Sequence, residues 1–288
     1  MNFKGTGVAL ITPFTKKSEV DFIALENIVK NISNNGADYL VMLGTTAETP
    51  TLSDEEKKEV VKTIVSANNN KLPLVIGIGE NDTLKILKEI KSFDFKGISG
   101  ILSVVPYYNK PNQTGLYQHY KMIAESSPLP VILYNIPGRS GVNMTADTTL
   151  KLANEFSNIT AIKEASANFD QIMDIVRNKP DNFTVISGDD NLTLPLMAIG
   201  VEGVISVIAN AFPAEYSNMV RLFETNPTAS RQIHFQLLEF IKYLFIEGNP
   251  AGIKALMSLL GYCEKTVRLP LTELSHANTM KIMELLNQ

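Results

Sequence analysis

Short apolar runs rich in valine, isoleucine and leucine recur near residues 7–11, 39–43, 74–78, 100–105, 131–134, 159–163, 184–187 and 203–206, each bounded by polar or turn-forming residues. Runs of that length and composition predict buried strands. Between them lie stretches with helical apolar spacing and start signals: Asp21 before Phe22-Ile23-Ala24-Leu25, Ser53 with Glu56 as a capping box, and Thr145 before residues 146–156. Strand and helix alternating eight times predict an α/β fold, either a parallel (β/α)8 TIM barrel or a large doubly wound sheet. The barrel is the better reading, because the count is eight and no dinucleotide fingerprint follows the first strand. Beyond the eighth run only helical patterns remain, near 213–224, 229–246, 250–261 and 272–287, with a turn signal at Asn226-Pro227. The expected organisation is a barrel over 1–225 and an all-helical C-terminal extension over 226–288.

In such a barrel the chemistry sits on the loops that follow the strands. The sixth run, Asn158-Ile159-Thr160-Ala161-Ile162-Lys163, ends in a charge that an apolar strand does not need. If side chains alternate and Lys163 faces inward, Ile159 and Ala161 share its face. A desolvated amine has a lowered pKa and becomes a nucleophile, which is the requirement for Schiff-base catalysis on a carbonyl. The plain alternative is a solvated lysine beside Glu164. Tyr134 ends the neighbouring fifth run, and a phenol within reach of an amine can carry protons to and from the departing water.

Other loops supply groups of matching chemistry. Gly44-Thr45-Thr46 precedes the helix that starts near Ser53, so free N–H groups and two hydroxyls converge where a carboxylate would fit, or serve ordinary turn and cap chemistry. Arg139, in the Pro137-Gly138-Arg139-Ser140-Gly141 turn, suits a second carboxylate or simply the surface. Tyr107 and Tyr108 after Pro106 read as walls of a site or as a subunit contact. A barrel phosphate site uses loops seven and eight; here loop seven carries Asp189 and Asp190, which repel phosphate, so a carboxylate substrate is expected. Those two aspartates read best as caps of the next helix. His119, His234 and His276 lack the spacing of metal ligands or of a nucleophilic triad and read as structural or surface residues.

Composition narrows the partners. The chain has 288 residues, 44% hydrophobic and 19% charged, with a formal net charge of −4 and no basic stripe for nucleic acid or anionic lipid. Cys263 is the only cysteine, so neither an intrachain disulfide nor a cysteine-rich metal site is possible. The start, Met1-Asn2-Phe3-Lys4-Gly5, lacks the pattern of a secretory signal, and no apolar run approaches membrane-spanning length. The expectation is a cytoplasmic protein acting on small molecules.

Four segments taken together, Gly44-Thr45-Thr46-Ala47-Glu48, Pro106-Tyr107-Tyr108-Asn109, Tyr134 to Gly141, and Ile162-Lys163-Glu164-Ala165-Ser166, resemble the pyruvate-dependent class I aldolases of the N-acetylneuraminate lyase family. The match in order runs through the whole chain. The resemblance implies an imine between Lys163 and pyruvate, with no cofactor and no metal. It also implies a proton relay of Tyr134, Thr45 and Tyr108, the last reaching into a neighbouring subunit's site. Thr45 and Thr46 would bind the pyruvate carboxylate, and the backbone near Gly188 and Ile205 would complete the pocket. An arginine at position 139 is similar to the branch that binds the carboxylate of L-aspartate 4-semialdehyde. For that branch the expected product is 4-hydroxy-tetrahydrodipicolinate, on the route to diaminopimelate and lysine, and the expected assembly is a homotetramer built from tight dimers.

Departures from the family pattern are specific. Ala47 stands where glycine is usual, and if that position requires positive φ, alanine costs about 1 kcal/mol. Ala167 also replaces a common glycine, and Asn249-Pro250-Ala251-Gly252-Ile253-Lys254 differs from the usual Asn-Pro-Ile-Pro-Val-Lys. Where lysine-inhibited relatives carry two histidines and a glutamate, this chain has Asp54, Lys57 and Lys85; the added cations disfavour a dibasic effector, so weak or absent lysine inhibition is expected. Two competing readings remain: a lyase or aldolase for sialic or keto-deoxy sugar acids, against which Arg139 argues, and a keto-acid-binding barrel without turnover, hinted at only by the altered Ala47 loop.

Overall fold

Eight of the apolar runs become strands because their β-branched residues bury both faces, as parallel strands covered by helices require. A computed structural model describes residues 3–288; Met1 and Asn2, part of the N-terminal reading above, lie outside them. The strands are β1 Gly5–Ala9, β2 Tyr39–Met42, β3 Leu74–Gly77, β4 Gly100–Val104, β5 Val131–Asn135, β6 Ile159–Glu164, β7 Thr184–Ser187 and β8 Gly203–Ser206. Their order is that of a closed barrel, β1 to β8 in sequence. The described residues pack as two compact units, one of Leu74–Ile205 with Phe3 and Lys4, the other of Gly5–Pro73 with Ser206–Gln288.

In the first unit β3 to β8 run parallel, each beside its sequence neighbour. Val75, Ile101, Ile132, Leu133, Ile162 and Ile186 have no exposed surface, and each such side chain contributes about 1.5–3 kcal/mol on burial. One irregularity matters for the chemistry. Val131 pairs with Ile159 but Ile132 pairs with Ala161, so the β5–β6 register shifts by one residue, and from there on Tyr134 stands opposite Lys163. A slip of one residue exchanges the faces of a strand, so this bulge decides which β6 side chain Tyr134 meets.

In the second unit β1 and β2 pair in parallel, Gly7 with Tyr39 and Ala9 with Val41. The expected helix starts form as read. Asp21 accepts from Ala24 N–H ahead of Phe22–Asn34, and Ser53 and Glu56 make a complete capping box ahead of Asp54–Asn68. The C-terminal helices are Pro213–Thr225, Pro227–Phe245, Ala251–Leu259 and His276–Leu286. Asn226 ends the first of these and caps the second through Ala229 N–H, while Ser230 Oγ donates to Met219 O across the pair at 2.7 Å. Among the described residues no helix is long and apolar enough to cross a membrane.

Candidate active site

Lys163 is the penultimate residue of β6 and is buried, 6% exposed, which removes the solvated alternative. Its Nζ lies 4.4 Å from the centroid of the Tyr134 ring, on the paired position of β5. Tyr134 is equally buried, at 6%. An amine kept dry against an aromatic face and backed by a phenol is chemically equipped to add to a carbonyl and to exchange protons as water leaves.

Loop seven shapes the space around that amine. Gly188 donates its N–H to Glu164 O at 2.8 Å, and a β-carbon at Gly188 would stand 3.0 Å from Lys163 Cε and 2.6 Å from Ala165 Cβ. Glycine is therefore needed there for close approach. Asp189 does not cap, contrary to the sequence reading: it stands before the turn Asp190–Leu192 without a side-chain cap bond. Its position is fixed by backbone instead, because Ser187 Oγ accepts its N–H and donates to its carbonyl. Burial raises the Asp189 carboxyl above the usual range, against the positive charge of Lys163, which lowers it, while Asp190 raises it further. Ile205 is buried in β8, at 1% exposure.

On the opposite face of the same two strands lies a buried polar network that sequence reasoning missed. Glu164, 1% exposed, accepts from Asn135 Nδ2 at 3.1 and 3.2 Å, from Ser166 N–H at 2.9 Å and from Gln171 Nε2 at 3.0 Å. Asn135 also donates to Asn143 Oδ1 and accepts from Met144 N–H, tying in the segment that follows the Arg139 turn. Burial raises the Glu164 carboxyl, and the hydrogen bonds from Ser166, Asn135 and Gln171 pull it back. The signal was present: two polar residues, Asn135 and Glu164, each directly follow a proposed site residue at the end of an apolar strand, so alternation puts them together on the other face.

Two further expected site residues of this unit, Arg139 and Tyr108, lie at its surface. Arg139 is exposed in the short helix Pro137–Ser140, whose end is held by Ser140 Oγ donating to Ile136 O and by Gly141 at φ 72°. Tyr108 is 87% exposed with φ 73°, an uncommon conformation for a residue with a β-carbon. Tyr107 donates to Glu80 at 3.1 Å, and burial together with that carboxylate raises its phenol. The histidines are structural or surface groups: His119 is buried against Thr83, His234 is buried, and His276 is exposed.

In the second unit, Thr45–Ala47 is a single 3-10 turn whose first N–H groups have no intrahelical acceptor. Thr45 is exposed and Thr46 buried. The strain expected at Ala47 is not there, because Ala47 belongs to the turn and Glu48, at φ 54°, carries the left-handed conformation. In the first unit Ala167, the other alanine standing where glycine was expected, is left-handed as well, at φ 55°. Also absent from the sequence reading were two ties to this turn, Asn249 to Thr46 and Lys254 to Glu48. Nothing local announces them, since more than 200 residues separate the partners.

The strand order defines a (β/α)8 barrel, with a buried lysine at the end of β6. The chain belongs to the Dihydrodipicolinate synthetase family, whose model matches residues 2–288. It is 52% identical over 289 residues to a protein of Parabacteroides distasonis named 4-hydroxy-tetrahydrodipicolinate synthase, covering 100% of this chain and 97% of that one. The crystal structure of dihydrodipicolinate synthase from Aquifex aeolicus is 44% identical, with a TM-score of 0.94, covering 99% of this chain and 97% of that chain. A structure described as a monomeric dihydrodipicolinate synthase variant is 38% identical, with a TM-score of 0.96, over 99% of this chain and 96% of that chain.

Proposed function

We propose that this chain is a lyase that condenses pyruvate with L-aspartate 4-semialdehyde to 4-hydroxy-tetrahydrodipicolinate, the reaction of the synthases it is similar to. The observation that carries the reading is the buried Lys163 Nζ 4.4 Å from the Tyr134 ring. Lys163 adds to the keto carbon of pyruvate and water leaves, giving an imine. Loss of a proton from the methyl group gives an enamine, because the iminium takes up the electron pair. The enamine carbon attacks the aldehyde, and the amino group of the second substrate then adds to the imine carbon, closing the ring and expelling Lys163.

Tyr134 hands protons to and from the imine nitrogen and the departing water, with Thr45 and Tyr108 as further members of the relay. The assignment of Thr45 and Thr46 to the pyruvate carboxylate rests on the family motif and on the geometry of their own turn, and Gly188 and Ile205 line the pocket. Arg139 binds the carboxylate of the aldehyde, as a planar guanidinium suits. The chemistry needs no cofactor and no metal. The protein acts in the cytoplasm as a homotetramer of tight dimers, in which the exposed Tyr108 serves a neighbouring subunit. Lysine inhibits weakly or not at all, since Lys57 and Lys85 meet a dibasic effector and Asp54 is already paired with Lys57 at 3.5 Å.

Borohydride reduction in the presence of pyruvate, followed by peptide mass mapping, tests the core of the reading. An adduct on Lys163 is expected, and its absence overturns the proposal. Comparing turnover of aspartate semialdehyde with cleavage of N-acetylneuraminate then decides between synthase and sialic-acid lyase. Arg139→Ala should raise KM for the semialdehyde and leave pyruvate trapping intact. An inhibition constant for lysine below a millimolar removes the effector prediction.

A further inference from the structure

Two side chains that the proposed reaction does not touch hold the threonine turn from behind. Asn249 Nδ2 donates to Thr46 Oγ1 at 2.9 Å, with Asn249 5% and Thr46 3% exposed. Two residues on, Glu48 ends the turn in the left-handed region, and its fully buried carboxylate accepts from Lys254 Nζ at 2.5 Å and from Arg268 N–H at 2.8 Å. Lys254 has no exposed side-chain surface either; it donates also to Thr266 O at 3.0 Å and lies 3.9 Å from the centroid of the Phe14 ring. Arg268 in turn grips Glu56, at 2.5 and 2.7 Å, and Thr51 O at 2.8 Å, so the far end of the same loop is tied to the helix Asp54–Asn68.

A left-handed residue with a β-carbon persists only where its surroundings over-determine it, and a buried ion pair with its remaining donors satisfied does so. Asn249 lies two residues before the helix Ala251–Leu259, whose N-cap is Pro250, and Lys254 is its fourth residue, so a single helix start reaches both the middle and the end of the turn. The hydrogen-bond sense matters more than the contact. A hydroxyl has one proton and two lone pairs. Because Asn249 donates, it occupies a lone pair of Thr46 and leaves the proton of Thr46 for another acceptor.

We propose that Asn249 is a positioning residue for the pyruvate carboxylate: its amide fixes the Thr46 hydroxyl as a donor to substrate, while the Lys254–Glu48 pair holds the turn that presents it. This rests on the reading that Thr46 receives that carboxylate. Asn249 touches no substrate and acts only through Thr46. Asn249→Asp keeps the shape and reverses the sense, because a carboxylate accepts the proton of Thr46 and adds a like charge beside the substrate's own. Asn249→Ala leaves the hydroxyl unheld.

The experiment is borohydride trapping on the full chain with pyruvate titrated, for wild type, N249A, N249D, T46V and the double variant N249A/T46V, with KM measured for each substrate. Wild type should label with a saturating dependence on pyruvate; no label at all removes the underlying reading and is distinct from a failure of this one. N249D should need roughly tenfold or more pyruvate for half-maximal labelling, the size of a hydrogen bond to a charged group. N249A should need less than N249D, and KM for the semialdehyde should stay unchanged in both. In the T46V background, N249A should add nothing. Equal half-saturation in wild type and N249D, a parallel rise in both KM values, or additive effects in the double variant overturn the inference. If N249A does not fold, the shape-conserving N249D decides alone.

Discussion

Gly188 faces Lys163 so closely that a β-carbon on it would stand 3.0 Å from Lys163 Cε. The same atom would meet Ala165 Cβ at 2.6 Å, closer than side chains pack, so the lysine and the residue two beyond it are both held by the absence of one methyl group. Overpacking of this kind costs about 1–3 kcal/mol. Gly188→Ala should therefore lower the melting temperature and slow borohydride labelling of Lys163, because the flexible lysine end is the part that yields. Unchanged labelling would show that the pocket accommodates the methyl group without moving the amine.

Tyr134→Phe separates the ring from its hydroxyl. The phenylalanine keeps the face on which Lys163 Nζ rests at 4.4 Å but removes the proton carrier. General acid–base groups contribute roughly 10²–10⁴-fold, so kcat should fall by about two orders of magnitude while thermal unfolding changes little. Steady-state kinetics beside calorimetry checks both halves, and a drop of less than threefold excludes Tyr134 from the relay.

Ala167 holds φ 55° just after the lysine strand. Left-handed alanine costs roughly 1–2 kcal/mol and glycine's extra chain entropy returns about 0.5–1, so Ala167→Gly should stabilise the protein by about 0.5–1 kcal/mol. Differential scanning calorimetry reads this as a small rise in Tm; a fall would mean that the methyl group is packed well enough to outweigh the backbone.

Burial lowers His119 from its ordinary value of 6.5 to about 4. The unfolded chain then binds more protons than the folded one between those values, so stability rises with pH there and is lost as pH falls from about 6.5 toward 4. The full loss is roughly 3 kcal/mol. Urea unfolding of wild type and His119→Gln at neutral and mildly acid pH should show the wild-type advantage shrinking on acidification; a constant difference excludes His119 as the source.

Much of the candidate site was legible because its parts lie at strand ends. Lys163, Tyr134 and Gly188 each follow an apolar run, and the barrel reading alone puts such residues at one rim. The capping residues Asp21, Ser53 and Thr145 were legible for the same reason, since a cap and its helix are adjacent in sequence. The roles of Asp189 and Ala47 were not. An aspartate before a helical turn carries the cap signal whether or not its side chain makes the bond, and sign of φ is not written in residue type when Glu48, one residue on, takes the left-handed position.

By itself the sequence determined the alternation of strands and helices, their number, and the identity of a charged residue at the end of β6, because periodicity and turn chemistry act over a few neighbours. Tertiary structure decided the β5–β6 register shift that sets Tyr134 opposite Lys163, the burial of Glu164 among Asn135, Ser166 and Gln171, and the grip of Asn249 and Lys254 on the threonine turn. Those depend on which segments meet after the chain has closed on itself, and the partners in the last case are more than 200 residues apart, beyond the reach of any local pattern.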